Sequence, residues 1–199
     1  MFKNYFQLLR VHQWIKNLFV FVPLLFSMHL FEANYFLSSL KAFFVFCLAS
    51  SYIYIINDII DLDADAVHPK KKFRPLPSGK IAKHNAWIVS ILILLILVGL
   101  TFFTNLNFIY LLIGFILLNI FYSFYFKHIV ILDVFSIAAG FSIRVLGGAA
   151  IISVPISSWL ILTTMFISLF LGVMNDIQSL SRFQRINLVR LEKFLQNIR

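Results

Sequence analysis

Cysteine is nearly missing from this chain. Cys47 is the single one in 199 residues, which excludes an intrachain disulfide and a thiolate metal cluster. Set in the middle of an apolar run, it reads as a small packing residue. Charge is scarce too: charged residues make up 13% of the chain and hydrophobic ones 61%, where soluble domains are about a quarter charged. With a mean hydropathy of +0.92, the chain reads as a polytopic membrane protein. The first apolar run lacks a small-residue cleavage site and reads as a membrane helix, not a cleaved leader. The 24 Phe then serve as lipid-facing and packing surface, so an aromatic stripe is no sign of a cofactor pocket. Acid is scarcer than base, and the net charge is +9. Its distribution along the chain accounts for that excess better than a nucleic-acid partner would.

The apolar runs predict an all-α membrane bundle of about six helices, near residues 17–31, 35–60, 86–103, 108–126, 130–152 and 159–174. Residues 1–16 read as an amphipathic helix on the membrane surface, with His12 and Trp14 as interfacial anchors. Residues 1–174 form the transmembrane domain on this reading, 57–85 a polar motif loop within it, and 175–199 a basic tail. Basic residues test the map. With the N-terminus inside, every Lys and Arg except Lys41 and Arg144 falls on the cytoplasmic side, as the positive-inside rule asks. The polar loop therefore faces the cytoplasm.

That loop is where the acid is concentrated. The stretch Asn57–Gly79, NDIIDLDADAVHPKKKFRPLPSG, holds Asp58, Asp61, Asp63 and Asp65, half of the acidic residues, followed directly by Lys70, Lys71, Lys72 and Arg74. Helical spacings of three, four and seven put Asp58, Asp61 and Asp65 roughly within 60° of each other, while Asp63 points away. Asn57 flanks the same face. Carboxylates so placed repel unless a cation sits among them, and hard oxygen ligands beside basic groups suit Mg²⁺ with a phosphorylated substrate. Lys72 and Arg74 follow closely enough to clamp phosphate oxygens. A solvated helix end is the plainer alternative, but ionisable residues there are functional by default.

A second polar cluster, Tyr122, Ser123, Lys127, His128 and Asp133, falls between the fourth and fifth helices on the same side. Interfacial anchoring would explain Tyr122 and Lys127 equally well. Arg144 lies inside the fifth helix and needs an anionic partner, either a ligand or Asp133. Gly140, Gly147 and Gly148 permit close helix packing.

The pattern Asn57-Asp58-x-x-Asp61-x-x-x-Asp65 resembles the first motif of the UbiA superfamily of intramembrane prenyltransferases, and RPLPSG (74–79) is common there. LRVHQWIKN (9–17), HPKKKFRP (68–75), YSFYFKHIVILD (122–133) and AAGFSIRVLGGAA (138–150) are similar to the decaprenyl-phosphate phosphoribosyltransferase branch. The resemblance implies a helical bundle in a bacterial cytoplasmic membrane with a cavity open to the cytoplasm. It implies Mg²⁺ at Asp58, Asp61 and Asp65, holding 5-phosphoribosyl diphosphate. A polyprenyl phosphate would attack the ribose anomeric carbon and release pyrophosphate. Lys16, Asn57, Lys72, Arg74, Tyr122, Lys127, Asp133 and Arg144 would bind the two substrates.

Two other readings stay open. The same aspartates would serve an aromatic-acceptor prenyltransferase holding an isoprenyl diphosphate. Alternatively the superfamily fold implies about nine helices and six are read here, which predicts an incomplete bundle, inactive or reliant on a further subunit or oligomer. A transporter fits less well, because the charges gather at one face.

Overall fold

The computed structural model describes residues 2–125, 129–170 and 172–174, and every regular element among them is helical. Helix α1 is Phe2–Leu8. A tight 3-10 segment, Val11–Phe21, runs into α2, Val22–Phe26, which carries Pro23 in its first turn where no amide donor is needed. Helix α3 is Ala33–Ile60 and α4 is Leu62–Val67. After the polar loop come α5 (Lys83–Thr101), α6 (Leu106–Phe124), α7 (Val130–Ile152) and α8 (Ser158–Met174).

Four helical stretches are long and apolar enough to cross a membrane among the described residues: α3, α5, α6 and Leu132–Ile152 of α7. The other two expected spans are shorter apolar helices, Val11–Phe26 and Ser158–Met174. The expected surface helix over 1–16 is not continuous. Arg10 sits in the left-handed region (φ 50, ψ 46), which costs an L residue about 1 kcal/mol and ends the helix. The chain then turns inward: Leu8, Asn17 and Val20 are fully buried. Trp14, expected as an interfacial anchor, instead donates its indole N–H to Ser51 Oγ at 3.0 Å, and that hydroxyl donates to the Leu9 carbonyl at 2.8 Å.

The periodicity of burial explains the packing. In α5 the buried residues are Ala86, Ser90, Ile93 and Leu97, and in α6 Phe108, Leu112 and Phe115. Each is one stripe at three- and four-residue steps. The opposite faces stay apolar, with Ile91, Leu95, Ile113 and Leu117 exposed, so those faces meet lipid and not water. At the centre, Phe46 of α3 lies edge-on to Phe115 (5.2 Å) and Phe108 (5.9 Å). Gly147 of α7 closes over it, and a Cβ there would lie 2.7 Å from the Phe46 ring.

Helix α6 is capped by Asn105, whose side chain accepts from the Phe108 amide at 2.9 Å while its Nδ2 donates to the Ala150 carbonyl at 2.5 Å. Asn105→Ala removes both bonds and is expected to lower stability by about 1–2 kcal/mol. Thermal unfolding in detergent measures this. An unchanged midpoint would show that the cap carries no stability.

Candidate active site

The C-terminal end of α3 is built around two carboxylates. Helical hydrogen bonding persists across the α3–α4 junction, with the Asp61 amide donating to Asn57 (2.9 Å) and the Asp65 amide to Asp61 (2.8 Å). The seven-residue spacing is therefore kept, and Asp58 and Asp65 face inward together, 2% and 1% exposed. Asp63 is exposed and Asp61, at the junction, is half-buried. Burying two charges together requires partners. Arg74 supplies the first, its Nη1 standing 2.6 Å from Asp65 Oδ2 and 3.3 Å from Asp58 Oδ1. Arg10 Nη2 reaches Asp58 Oδ1 at 2.5 Å, and Lys71 Nζ reaches Asp65 Oδ1 at 3.2 Å.

The loop that presents Arg74 and Lys71 is folded by local chemistry. His68 Nδ1 accepts from the Lys70 and Lys71 amides, both at 3.2 Å. Residues Lys71–Phe73 make one 3-10 turn. Leu76 and Ile81, each 4% exposed, join the hydrophobic core as anchors. Gly79 takes φ 72, a conformation glycine adopts without strain. RPLPSG therefore acts as a brace that holds Arg74 over the carboxylates.

Two cavities adjoin this cluster. One, of about 480 Å³, is lined by Asp58, Arg74, Arg10, His12 and Lys70. The other, of about 540 Å³, lies deeper between the 3-10 segment, α6 and α7. Its polar lining is basic (Arg10, Lys16, Arg144) with Tyr122 and Asn119, and its apolar lining includes Leu118, Ile137 and Phe141. Arg10 and Gln13 line both cavities. The Arg10 guanidinium also stacks over the Tyr54 ring, 4.6 Å from its centroid, which helps offset its backbone strain.

Arg144 is 9% exposed, and its partners among the described residues are all neutral. Nε donates to Asn17 Oδ1 at 2.7 Å, and the guanidinium covers the rings of Phe115 (4.7 Å) and Phe141 (5.4 Å). Asn17 in turn donates to Cys47 Sγ at 3.3 Å. The expected alternative, a pair with Asp133, does not form. Asp133 is half-buried at the start of α7, and its Oδ1 has no hydrogen-bond partner among the described residues. A buried cation with only neutral partners is poised for an anion from outside the chain.

The structure thus gathers Asp58, Asp65 and Arg74 into one cluster and Lys16, Tyr122 and Arg144 around the basic cavity. Asn57 faces α6, donating to Ser123 Oγ at 2.7 Å. Lys72, expected to clamp phosphate oxygens, is exposed, with Nζ 5.2 Å from the Phe73 ring centroid. In a 3-10 turn consecutive side chains point about 120° apart, so Lys71 reaches Asp65 while its neighbour Lys72 points elsewhere. Lys127, His128 and the tail 175–199 lie outside the described residues. Arg10, Lys71 and Asn17 were missed. Arg10 and Asn17 belong to the LRVHQWIKN stretch that stands out in the sequence, but nothing local names their partners.

The sequence pattern of the UbiA prenyltransferase family matches residues 19–189. The chain belongs to the UbiA prenyltransferase family. With its apolar helices, this membership makes it an integral membrane protein. The decaprenyl-phosphate phosphoribosyltransferase of Mycolicibacterium smegmatis is 35% identical over 167 residues, 82% of this chain and 52% of that protein. The decaprenyl-phosphate phosphoribosyltransferase of Corynebacterium glutamicum is 33% identical over 168 residues, 82% of this chain and 51% of that one. The chain spans about half the length of the curated relatives it matches. A UbiA homolog from Archaeoglobus fulgidus, solved bound to DMAPP and Mg²⁺, aligns with a TM-score of 0.66 at 20% identity, covering 83% of this chain and 60% of that one. That likeness establishes the UbiA fold for the helices described above.

Proposed function

We propose that this UbiA family member transfers 5-phosphoribose from 5-phosphoribosyl diphosphate to a polyprenyl phosphate, dependent on Mg²⁺, at the cytoplasmic face of a bacterial inner membrane. The observation that carries this is the pair of adjoining cavities, one holding a carboxylate and both lined by cations, sharing Arg10 and Gln13. An aromatic acceptor would need one anion site; two phosphorylated substrates need two. The names of the M. smegmatis and C. glutamicum relatives support the same reading.

Among the described residues no three carboxylate, imidazole or thiol groups form a ready cluster for a metal. Even so, the donor set suits Mg²⁺. Asp58 and Asp65 offer hard oxygens with a cationic Arg74 nitrogen standing between them, where a small cation would be favoured. Asp58, Asp61 and Asp65 would hold it. Bound there, Mg²⁺ supplies positive charge against the departing pyrophosphate.

The remaining chemistry belongs to this chain's own cations. Lys16 and Arg144 hold the acceptor phosphate, with Tyr122 beside them, and the isoprenoid follows the apolar wall of the basic cavity. Arg10, Lys71 and Arg74 bind the diphosphate of the donor. One acceptor phosphate oxygen forms a bond to the anomeric carbon of the ribose. The bond from that carbon to the pyrophosphate oxygen breaks, and pyrophosphate leaves with the electron pair. The attacking oxygen is already anionic, so no strong base is needed. Stabilisation of separating charge in a dry site is the main catalytic term.

The test is pyrophosphate release by the full chain in detergent with Mg²⁺, 5-phosphoribosyl diphosphate and a polyprenyl phosphate. Release is expected only with both substrates. In Arg144→Gln the KM for the lipid phosphate should rise about tenfold or more, while that for the donor stays within about twofold, since one charge-assisted contact is lost. Release seen instead with an isoprenyl diphosphate and an aromatic acceptor would move the assignment to prenyl transfer. Silence with both substrate pairs would refute activity of this chain alone.

A further inference from the structure

The two buried carboxylates do not wait for a cation; they already have three. Arg10 neutralises Asp58, Lys71 neutralises Asp65, and Arg74 is shared between them. Arg74 and Lys71 carry side chains that are 32% and 41% exposed, on a loop outside the helices, while the carboxylate side chains are 2–3% exposed. The anions are sealed inside the bundle, and these two cations reach solvent. A divalent ion bridging Asp65 Oδ2 and Asp58 Oδ1 at about 2.1 Å would take the place of Arg74 Nη1, which stands 2.6 and 3.3 Å from those oxygens, so the guanidinium must leave. If it leaves alone it goes to water, and the carboxylate has exchanged one cation for another with little gain.

A metal–diphosphate complex changes the balance. It brings a cation for the carboxylates and phosphate oxygens for the guanidinium and ammonium they release. Arg10, Lys71 and Arg74, with Lys70 on the wall of the same cavity, outnumber Asp58, Asp61 and Asp65 by one positive charge, so a bare dication meets an excess of like charge. A net-anionic complex meets opposite charge. Arg74 is also positioned for the exchange, since it lines the cavity beside Asp58.

We propose that Arg74, assisted by Lys71, is a placeholder cation that makes the site accept a divalent metal together with a diphosphate and reject the metal alone. This rests on the metal–diphosphate reading above and adds a specificity rule to it. Coupling of this kind is reciprocal: pyrophosphate tightens metal binding by the same factor by which metal tightens pyrophosphate binding.

Equilibrium dialysis of the full chain in detergent against Mn²⁺, with and without inorganic pyrophosphate, tests the rule without any turnover. Wild type is expected to bind Mn²⁺ weakly alone and about tenfold or more tightly with pyrophosphate. Arg74→Gln should bind Mn²⁺ alone about tenfold more tightly than wild type and gain less from pyrophosphate. Arg74→Lys, which keeps a cation, should return to weak binding of Mn²⁺ alone. Lys71→Gln, a half-exposed position that folding tolerates, should move the same way as Arg74→Gln by about threefold. Equal or weaker Mn²⁺ binding in both glutamine variants would overturn the placeholder and leave the metal–diphosphate reading standing. No Mn²⁺ binding by any of these proteins, even with pyrophosphate, would overturn both.

Discussion

Asp58→Asn should reduce pyrophosphate release by about a thousandfold or more while the bundle stays folded. The substitution keeps the shape and one oxygen acceptor of a residue that is 2% exposed, exchanges the other oxygen for an amide NH2 and removes the charge. That charge sits between Arg10 and Arg74, at the point where the donor's diphosphate is proposed to bind. A thousandfold loss is about 4 kcal/mol of transition-state stabilisation, in the range seen when one preorganised electrostatic contact is removed. The structural cost is smaller. Arg10 and Arg74 have side chains that are 22% and 32% exposed, so water can rehydrate them after the anion is lost. Steady-state rates at saturating donor, with thermal unfolding of the same preparation, separate the two effects. A variant that unfolds near the wild-type midpoint but keeps more than about a tenth of the rate would refute the proposed role of Asp58.

Gly148→Ala should destabilise the protein by about 3 kcal/mol or more. A Cβ at Gly148 would lie 2.0 Å from the Val20 carbonyl oxygen and 2.9 Å from its carbon. Both are backbone atoms of the 3-10 segment, so no side-chain rotation relieves the clash. Overpacking usually costs about 1–3 kcal/mol where side chains can give; here the segment carrying Lys16 and Asn17 must move as a unit. The basic cavity would open with it, since Arg144 is held by Asn17. Gly114→Ala is the control. Nothing lies within 4 Å of a Cβ at that position, and alanine favours a helix by up to about 1 kcal/mol. Thermal unfolding should move in opposite directions for the two alanines. Equal midpoints would show that the α7 contact with the 3-10 segment is looser than described.

Local chemistry explains which features the sequence revealed. Transmembrane character follows from composition, and helix spacing over eight residues places Asp58 with Asp65 and turns Asp63 outward, because a helix repeats the same geometry wherever it occurs. The same rule fails where backbone geometry changes. Around Lys71–Phe73 the turn tightens, and Lys71, which the spacing did not single out, is the lysine that meets Asp65. At Arg10 a left-handed residue ends the expected surface helix and sends Trp14 and Asn17 into the bundle.

By itself the sequence determined an all-helical membrane chain, the acidic face at the end of α3 and the proline-stiffened basic loop beside it. Each rests on hydrophobicity or on contacts within a few residues. Only the tertiary structure decided that Arg10 meets Asp58 across 48 residues and that Arg144 takes Asn17 across 127. Those pairs depend on how closely α7 approaches the 3-10 segment and α3. That approach is set by Gly147 and Gly148 against Phe46 and Val20, a packing contact that spacing along one helix does not encode.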